Sequence, residues 1–186
     1  MRFDALCQTA GRARLWVFLA ICLVVILGGC QKKEIPLSKA AQACKTDMLG
    51  QMRLLTTALT GPVAQQDWQA AQSSLQTSFD KLQKEGKLTP FRIGVLDRDG
   101  ITQVMVPPGK GGSLDFSAYA PARVVYEQQK MAQAMLYLGG KKIFVLIGPF
   151  LRQNQVTGAA VLVFPEEEIQ KCHLSDQEFM SIDFNR

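Results

Sequence analysis

Between Lys141 and Phe164 the chain reads KKIFVLIGPFLRQNQVTGAAVLVF. Two apolar runs rich in β-branched residues, Ile143–Ile147 and Ala159–Phe164, flank the polar stretch Arg152-Gln153-Asn154-Gln155. Each run is too short for a stable helix and has the composition of a strand buried on both faces. A polar turn between two such strands predicts an antiparallel hairpin. The segments upstream are therefore expected to be the material that covers this pair.

Those segments carry their own periodicities. Over Ser38–Thr60, Cys44, Met48, Met52, Leu55 and Leu59 recur at spacings of four, four, three and four, the apolar stripe of a helix with Cys44 on its inward side. Gly61-Pro62 is expected to break or kink it and to open a second helix, Pro62–Glu85, striped by Trp68, Ala71, Leu75, Phe79 and Leu82 and stopped at Gly86. Phe91–Asp97 reads as a strand in which Phe91, Ile93 and Val95 alternate with Arg92 and Gly94. Asp97-Arg98-Asp99-Gly100 is a tight turn, and it lacks the remaining ligands of a calcium loop. Ile101–Val106 is the return strand. Pro107–Ser113 is a flexible loop without the spacing of a phosphate-binding loop. Leu114–Lys130 is expected to be helical over its second half, with Pro121 in the first turn. Met131–Leu138 is a strand, and Gly139-Gly140 turns it into the central pair. After the pair, Pro165-Glu166-Glu167-Glu168-Ile169 starts a helix with acids at its positive end. Ser175 and Glu178 form a capping-box pattern, and the tail Ile182–Arg186 is expected to be loose.

Residues 1–30 are expected to be a targeting signal. Arg2, Arg12 and Arg14 form a basic start, and Leu15–Leu27 is a charge-free apolar run of thirteen residues. That suits a signal segment and falls short of the roughly 20 residues of a bilayer span. The run ends in Leu27-Gly28-Gly29-Cys30, which resembles a bacterial lipobox, with Gly28 where Ala or Ser is more usual. In such a motif the Cys30 thiolate is the nucleophile that takes a diacylglyceryl group. The other reading is an uncleaved single-pass anchor. Both hang the body outside the cytoplasmic membrane, and acyl chains worth about 0.8 kcal/mol per buried CH2 would hold it there. Gln31 in place of Asp resembles the sorting pattern of outer-membrane lipoproteins. Residues 31–37 are a polar tether whose Lys32-Lys33 is expected to meet anionic headgroups, and 38–186 a single domain.

The composition, 47% apolar and 20% charged, is that of a globular chain. Removing Arg2, Arg12, Arg14 and Asp4 with the leader takes 21 basic and 16 acidic side chains to 18 and 15. With no basic run or aromatic-interleaved patch, this balance argues against nucleic acid. Of the five cysteines, Cys7 and Cys22 leave with the leader and Cys30 is acylated. Cys44 and Cys172 remain, either bridged in an oxidising compartment or as two small buried apolar side chains. His173 is the only histidine; Cys172-His173 lacks a haem motif, and no clustered nucleophile and base or paired carboxylates stand out. No catalytic residue, metal site or cofactor is expected, and the chain is not read as an enzyme.

The order of elements predicts an α+β domain. With Ile93–Gly100, Phe144–Leu151 including Gly148-Pro149, and Thr157–Val163, it resembles the Cache family, PAS-like extracytoplasmic sensor domains, over roughly residues 38–170. The resemblance implies a five-stranded antiparallel sheet with long N-terminal helices packed behind it. It also implies small ligands held on the other face, between the sheet and Leu114–Lys130. There Arg123 would hold a carboxylate through two parallel hydrogen bonds, with Tyr119, Tyr126 and Tyr137 offering rings and hydroxyls. The plain alternatives are a surface arginine and core tyrosines. The amino-acid-binding signature of two-module Cache receptors is not visible. Family members usually signal through a second membrane helix, whereas a lipid-tethered copy is expected to bind a small carboxylate or amine and act through a membrane-protein partner. The competing expectation is a structural or assembly lipoprotein that uses the fold as a protein-interaction module.

Overall fold

The computed structural model describes residues 37–109 and 115–186. The expectations for the signal segment, for Cys30 and the tether up to Pro36, and for Lys110–Leu114 of the loop region lie outside the described residues.

Two helices lead: α1 (Lys39–Ala64) and α2 (Trp68–Glu85). Ser38 caps α1 by accepting the Ala41 N–H at 3.1 Å. The predicted stripe is buried, with Met48, Leu55 and Leu59 fully inaccessible. Gly61-Pro62 does not break the helix. Pro62 falls in the last turn, where the lost N–H is a single hydrogen bond and the backbone already has helical φ. The stop comes later. Gln66 takes φ +56°, and the Asp67 N–H reaches back to the Pro62 carbonyl at 2.9 Å, closing a Schellman-type end. Asp67 then caps α2, which begins at Trp68 rather than at Pro62. Gly86 does end α2, but with extended backbone (φ −68°). A Cβ there would stand 2.6 Å from the Leu82 carbonyl oxygen, so close approach rather than left-handed backbone asks for glycine.

The sheet follows: β1 (Arg92–Asp97), β2 (Thr102–Val106), then α3 (Ala120–Gln128), β3 (Ala132–Leu138), β4 (Lys141–Arg152) and β5 (Gln155–Pro165). Its order is β2-β1-β5-β4-β3, and every pairing is antiparallel. The β4–β5 hairpin is the predicted central pair, joined by Gln153-Asn154 at φ +51° and +61°, a turn whose twist suits two strands. Gly139 and Gly140, also at positive φ, make the β3–β4 turn. In the β1–β2 turn, Asp97 Oδ1 accepts the N–H groups of Asp99 and Ile101, at 2.9 and 3.0 Å. Gly100 takes φ +83°.

Strand alternation divides the sheet into two covered faces. On the back, Ile93, Val95, Phe144, Leu146, Phe150, Leu162 and Phe164 pack under α1 and α2. The chain then closes that layer itself through α4 (Glu166–Lys171) and α5 (Asp176–Ser181). The capping box of α5 forms as expected between Ser175 and Glu178. The tail is not loose. Ile182 and Phe184 are buried, Phe179 meets Phe144 edge-on at 4.8 Å, and Asn185 exchanges hydrogen bonds with the Met131 backbone at 2.7 and 3.1 Å. Alternating apolar residues too few to register as a helix or strand (Ile182, Phe184) here complete a core built elsewhere. Cys44 and Cys172 are disulfide-bonded, Cα atoms 5.9 Å apart across 128 positions, and tie α1 to the end of α4. Such a bond is consistent with an extracytoplasmic location.

Candidate functional site

The front face of the sheet is covered by α3, and its chemistry differs from the back. Val161, Val163, Val145 and Ile143 form its floor, with the small residues Ala132, Ala134 and Ala159 beside them. Gly94 belongs to the same face by alternation with Arg92 and Leu96. A Cβ at Gly94 would meet only ordinary contacts, 3.4 Å from the Val104 carbonyl oxygen and 3.6 Å from Met105 Cε, so the position does not demand glycine. From α3, Ala122 and Val125 press onto this floor, and Phe116, Tyr119, Val124 and Tyr126 pack partly against it. Val163 and Ile143 each keep 8% of their surface, whereas Ile93, Leu146 and Leu162 on the back keep none.

The four predicted site residues do not converge. Tyr119 occupies the N-cap position of α3 with its ring edge-on to Phe116 at 6.0 Å, and burial raises its hydroxyl pKa. Tyr126 is half-buried and donates its hydroxyl to the Asp97 carbonyl oxygen at 2.6 Å, tying α3 to the β1–β2 turn. Burial first, then the Asp97 and Asp99 carboxylates, hold that hydroxyl protonated well above the ordinary tyrosine range. Both tyrosines thus sit in the front layer. Arg123 lies one position past the buried Ala122, on the outer side of α3. Its Nε and Nη2 both donate to Glu127 Oε1, at 3.1 and 3.0 Å, and the side chain is exposed. Tyr137 stands opposite Lys142 near the β3–β4 turn, 69% exposed, and lines a cleft of about 530 Å³ with Phe91, Leu138, Lys141 and Ile143.

Arg92 belongs to the front layer and was absent from the predicted set. It pairs with Val163 across β1–β5, so its side chain lies on the covered face. Its guanidinium carbon is 5.7 Å from the centre of the Phe91 ring, and its Nε is buried without a hydrogen-bond partner. Nη1 lies 4.0 Å from where a Cβ on Gly109 would stand, so the guanidinium reaches the loop after β2. The signal was in the alternation itself. Arg92 is the one charged residue inside the β1 run before Asp97, and only the layer above the strand turns its polar side into an interior.

Among the described residues no group of three or more His, Cys, Asp or Glu side chains is placed to hold a metal, and no helix is long and apolar enough to cross a membrane. The front layer offers an apolar floor, aromatic rings and one guanidinium, groups of the kind that line small-molecule sites.

No protein-family model matches the sequence, and no curated protein does. Among solved structures, the chain is similar to the ligand-binding domain of the Pseudomonas fluorescens chemoreceptor CtaA in complex with L-serine. The TM-score is 0.54 at 15% identity, over 74% of this chain and 60% of that one. Weaker likenesses are to an extracellular ligand binding receptor from Desulfohalobium retbaense (TM-score 0.48, 13% identity, 72% and 26% covered) and to the ligand-binding domain of the Pseudomonas aeruginosa amino acid chemoreceptor PctC in complex with GABA (TM-score 0.43, 16% identity, 74% and 61% covered). The chain spans less than two thirds of each of these chains. At such identity the likeness to CtaA concerns the fold: α+β, two N-terminal helices against a five-stranded antiparallel sheet, Cache-like.

Proposed function

We propose that this Cache-like domain is a lipid-anchored extracytoplasmic binding protein that holds a small solute on the front face of its sheet and acts through a membrane partner. The observation that supports the reading is Arg92. A guanidinium whose Nε is buried and unpartnered, above an apolar floor of small residues, is an unmatched donor. Burying a donor without an acceptor is unfavourable by about 1–3 kcal/mol, and an anionic ligand oxygen would relieve it. The solute class is therefore a small carboxylate, and the amino acid held by the CtaA domain is one member of it. Tyr119 would flank it in the front layer. Arg123 lies on the outer side of α3 and Tyr137 alternates with Met135 toward the back side of β3, so both stand outside the proposed solute site.

The anchor is proposed on the lipobox-like Leu27–Cys30. The test is a thermal-shift screen of the full chain against small carboxylates, amines and nucleobases, with mass spectrometry of Cys30. The expected result is a diacylglyceryl mass on Cys30 and stabilisation by at least one carboxylate, lost in Arg92→Met. Stabilisation by none of the three classes overturns the binding reading.

A further inference from the structure

The two largest exposed apolar surfaces of the sheet lie at one of its ends. α1 runs from the level of Cys172, past Gly148 (where Met52 packs), to Gly158 (where Val63 packs). Pro165 pairs with Ile143, and Lys142 Nζ contacts Glu166 at 2.8 Å and Asp176 at 3.0 Å. The start of α1 and the β3–β4 turn therefore share one end of the sheet, and the Gln153-Asn154 turn marks the opposite end. At the α1 end, Tyr137 and Leu138 are 69% and 54% exposed, the two most exposed large apolar side chains among the described residues. Exposed Lys141 follows directly after the two-glycine turn, with no acidic partner among the described residues. Glu167 lines the same cleft, while Glu166 is taken up by Lys142.

We propose that the β3–β4 tip, Tyr137-Leu138-Gly139-Gly140-Lys141, is a membrane-contact element seated on an anionic lipid bilayer. The inference rests on the lipid anchor proposed above. Chain length selects the occupant. Seven residue steps from Cys30 to Leu37 span at most about 25 Å. A domain of this size has a radius of gyration of about 15 Å, so it is about 40 Å across. The tether is shorter than the domain, so the end from which it leaves faces the bilayer. A tyrosine, a leucine and a lysine on a hairpin tip suit that interface: the ring and alkyl chain enter the headgroup zone while the ammonium stays among phosphates. Lys32-Lys33 adds charge of the same sign beside the anchor.

The test is hydrogen exchange on the full chain in vesicles of phosphatidylethanolamine with a minority of phosphatidylglycerol, compared with the same chain in neutral detergent. The expected result is exchange roughly tenfold slower over residues 137–142 in vesicles, unchanged exchange at Gln153-Asn154, and loss of the protection in the double variant Tyr137→Ser, Leu138→Ser. Both positions are exposed, so that variant keeps its melting temperature. Lipid on Cys30 with the tip exchanging equally in both media overturns this inference and leaves the anchor standing. A bare Cys30 overturns both. Protection in native envelope membranes but not in vesicles of lipid alone overturns the lipid assignment and gives the tip to a protein partner.

Discussion

The two faces of the sheet are built from the same strands and differ in how completely they are closed. The back is a large-residue core: Phe144, Phe150, Phe164 and Phe179 are buried with Met48, Leu55 and Leu75, and the disulfide and the docked tail lock its rim. The front is a thinner layer of Ala, Val, Ile and Leu under a nine-residue helix, with Arg92, whose buried Nε lacks a partner, at its margin. The first carries most of the buried large side chains, and the second is the face proposed to bind. The back is filled by its own phenylalanines, whereas the front is floored by smaller side chains, among them Gly94, Ala132, Ala134 and Ala159.

Four experiments sharpen or break that contrast. Replacing Cys44 and Cys172 by serine releases a loop of more than 100 residues and is expected to cost about 4–5 kcal/mol by loop-closure entropy, read as a lower urea midpoint. If the midpoint barely moves, the back is not the clamped face. Next, Phe144→Ala is expected to lose about 3–5 kcal/mol, and Val161→Ala on the front only about 1 kcal/mol. Equal losses from the two would erase the distinction.

The third concerns acid. Glu168 joins α4 to the segment before β1 by accepting the Thr89 N–H at 2.9 Å, and it also pairs with Lys171. Burial pushes its pKa up, but the hydrogen bonds from Lys171 and Thr89 outweigh burial and leave it below the ordinary range. Its unfolded pKa is about 4.3, so its contribution is complete above that value and is lost as pH falls through the lower folded one. Glu168→Gln is expected to destabilise by about 1–2 kcal/mol at pH 7 and to flatten the fall in melting temperature on acidification. An unchanged acid limb would show that another carboxylate governs it. The smallest expected effect is Arg92→Met. Because its Nε has no partner to lose and its burial is unfavourable, stability should hold or rise by about 1 kcal/mol, while carboxylate binding disappears. A large loss of stability would make Arg92 a structural residue.

Much of the architecture was legible because it depends on neighbours in sequence. The Ile143–Ile147 and Ala159–Phe164 runs, the Gln153-Asn154 and Gly139-Gly140 turns, the Met48-Met52-Leu55-Leu59 stripe and the Ser175–Glu178 cap are local patterns, and each appears where its spacing placed it. The errors lie where distant contacts overrule local preference. Pro62 is carried inside α1, and Ile182 and Phe184 are drawn under a sheet that their short segment cannot specify.

The site was less legible. A helical spacing can bring Tyr119, Arg123 and Tyr126 near one another on α3, but which side of that helix meets the sheet is set by Ala122 and Val125, and this turns Arg123 outward. The amino-acid order alone determined the strands, their turns, the amphipathic helices and an apolar central pair, because these follow from side-chain periodicity and backbone conformation within a few residues. Only the folded molecule decided which face of each strand became back or front, whether Cys44 met Cys172, and that Arg92 was partly buried while Arg123 was exposed. Those outcomes depend on which layer lies over a residue, and burial of that kind is fixed by contacts between segments far apart in the chain.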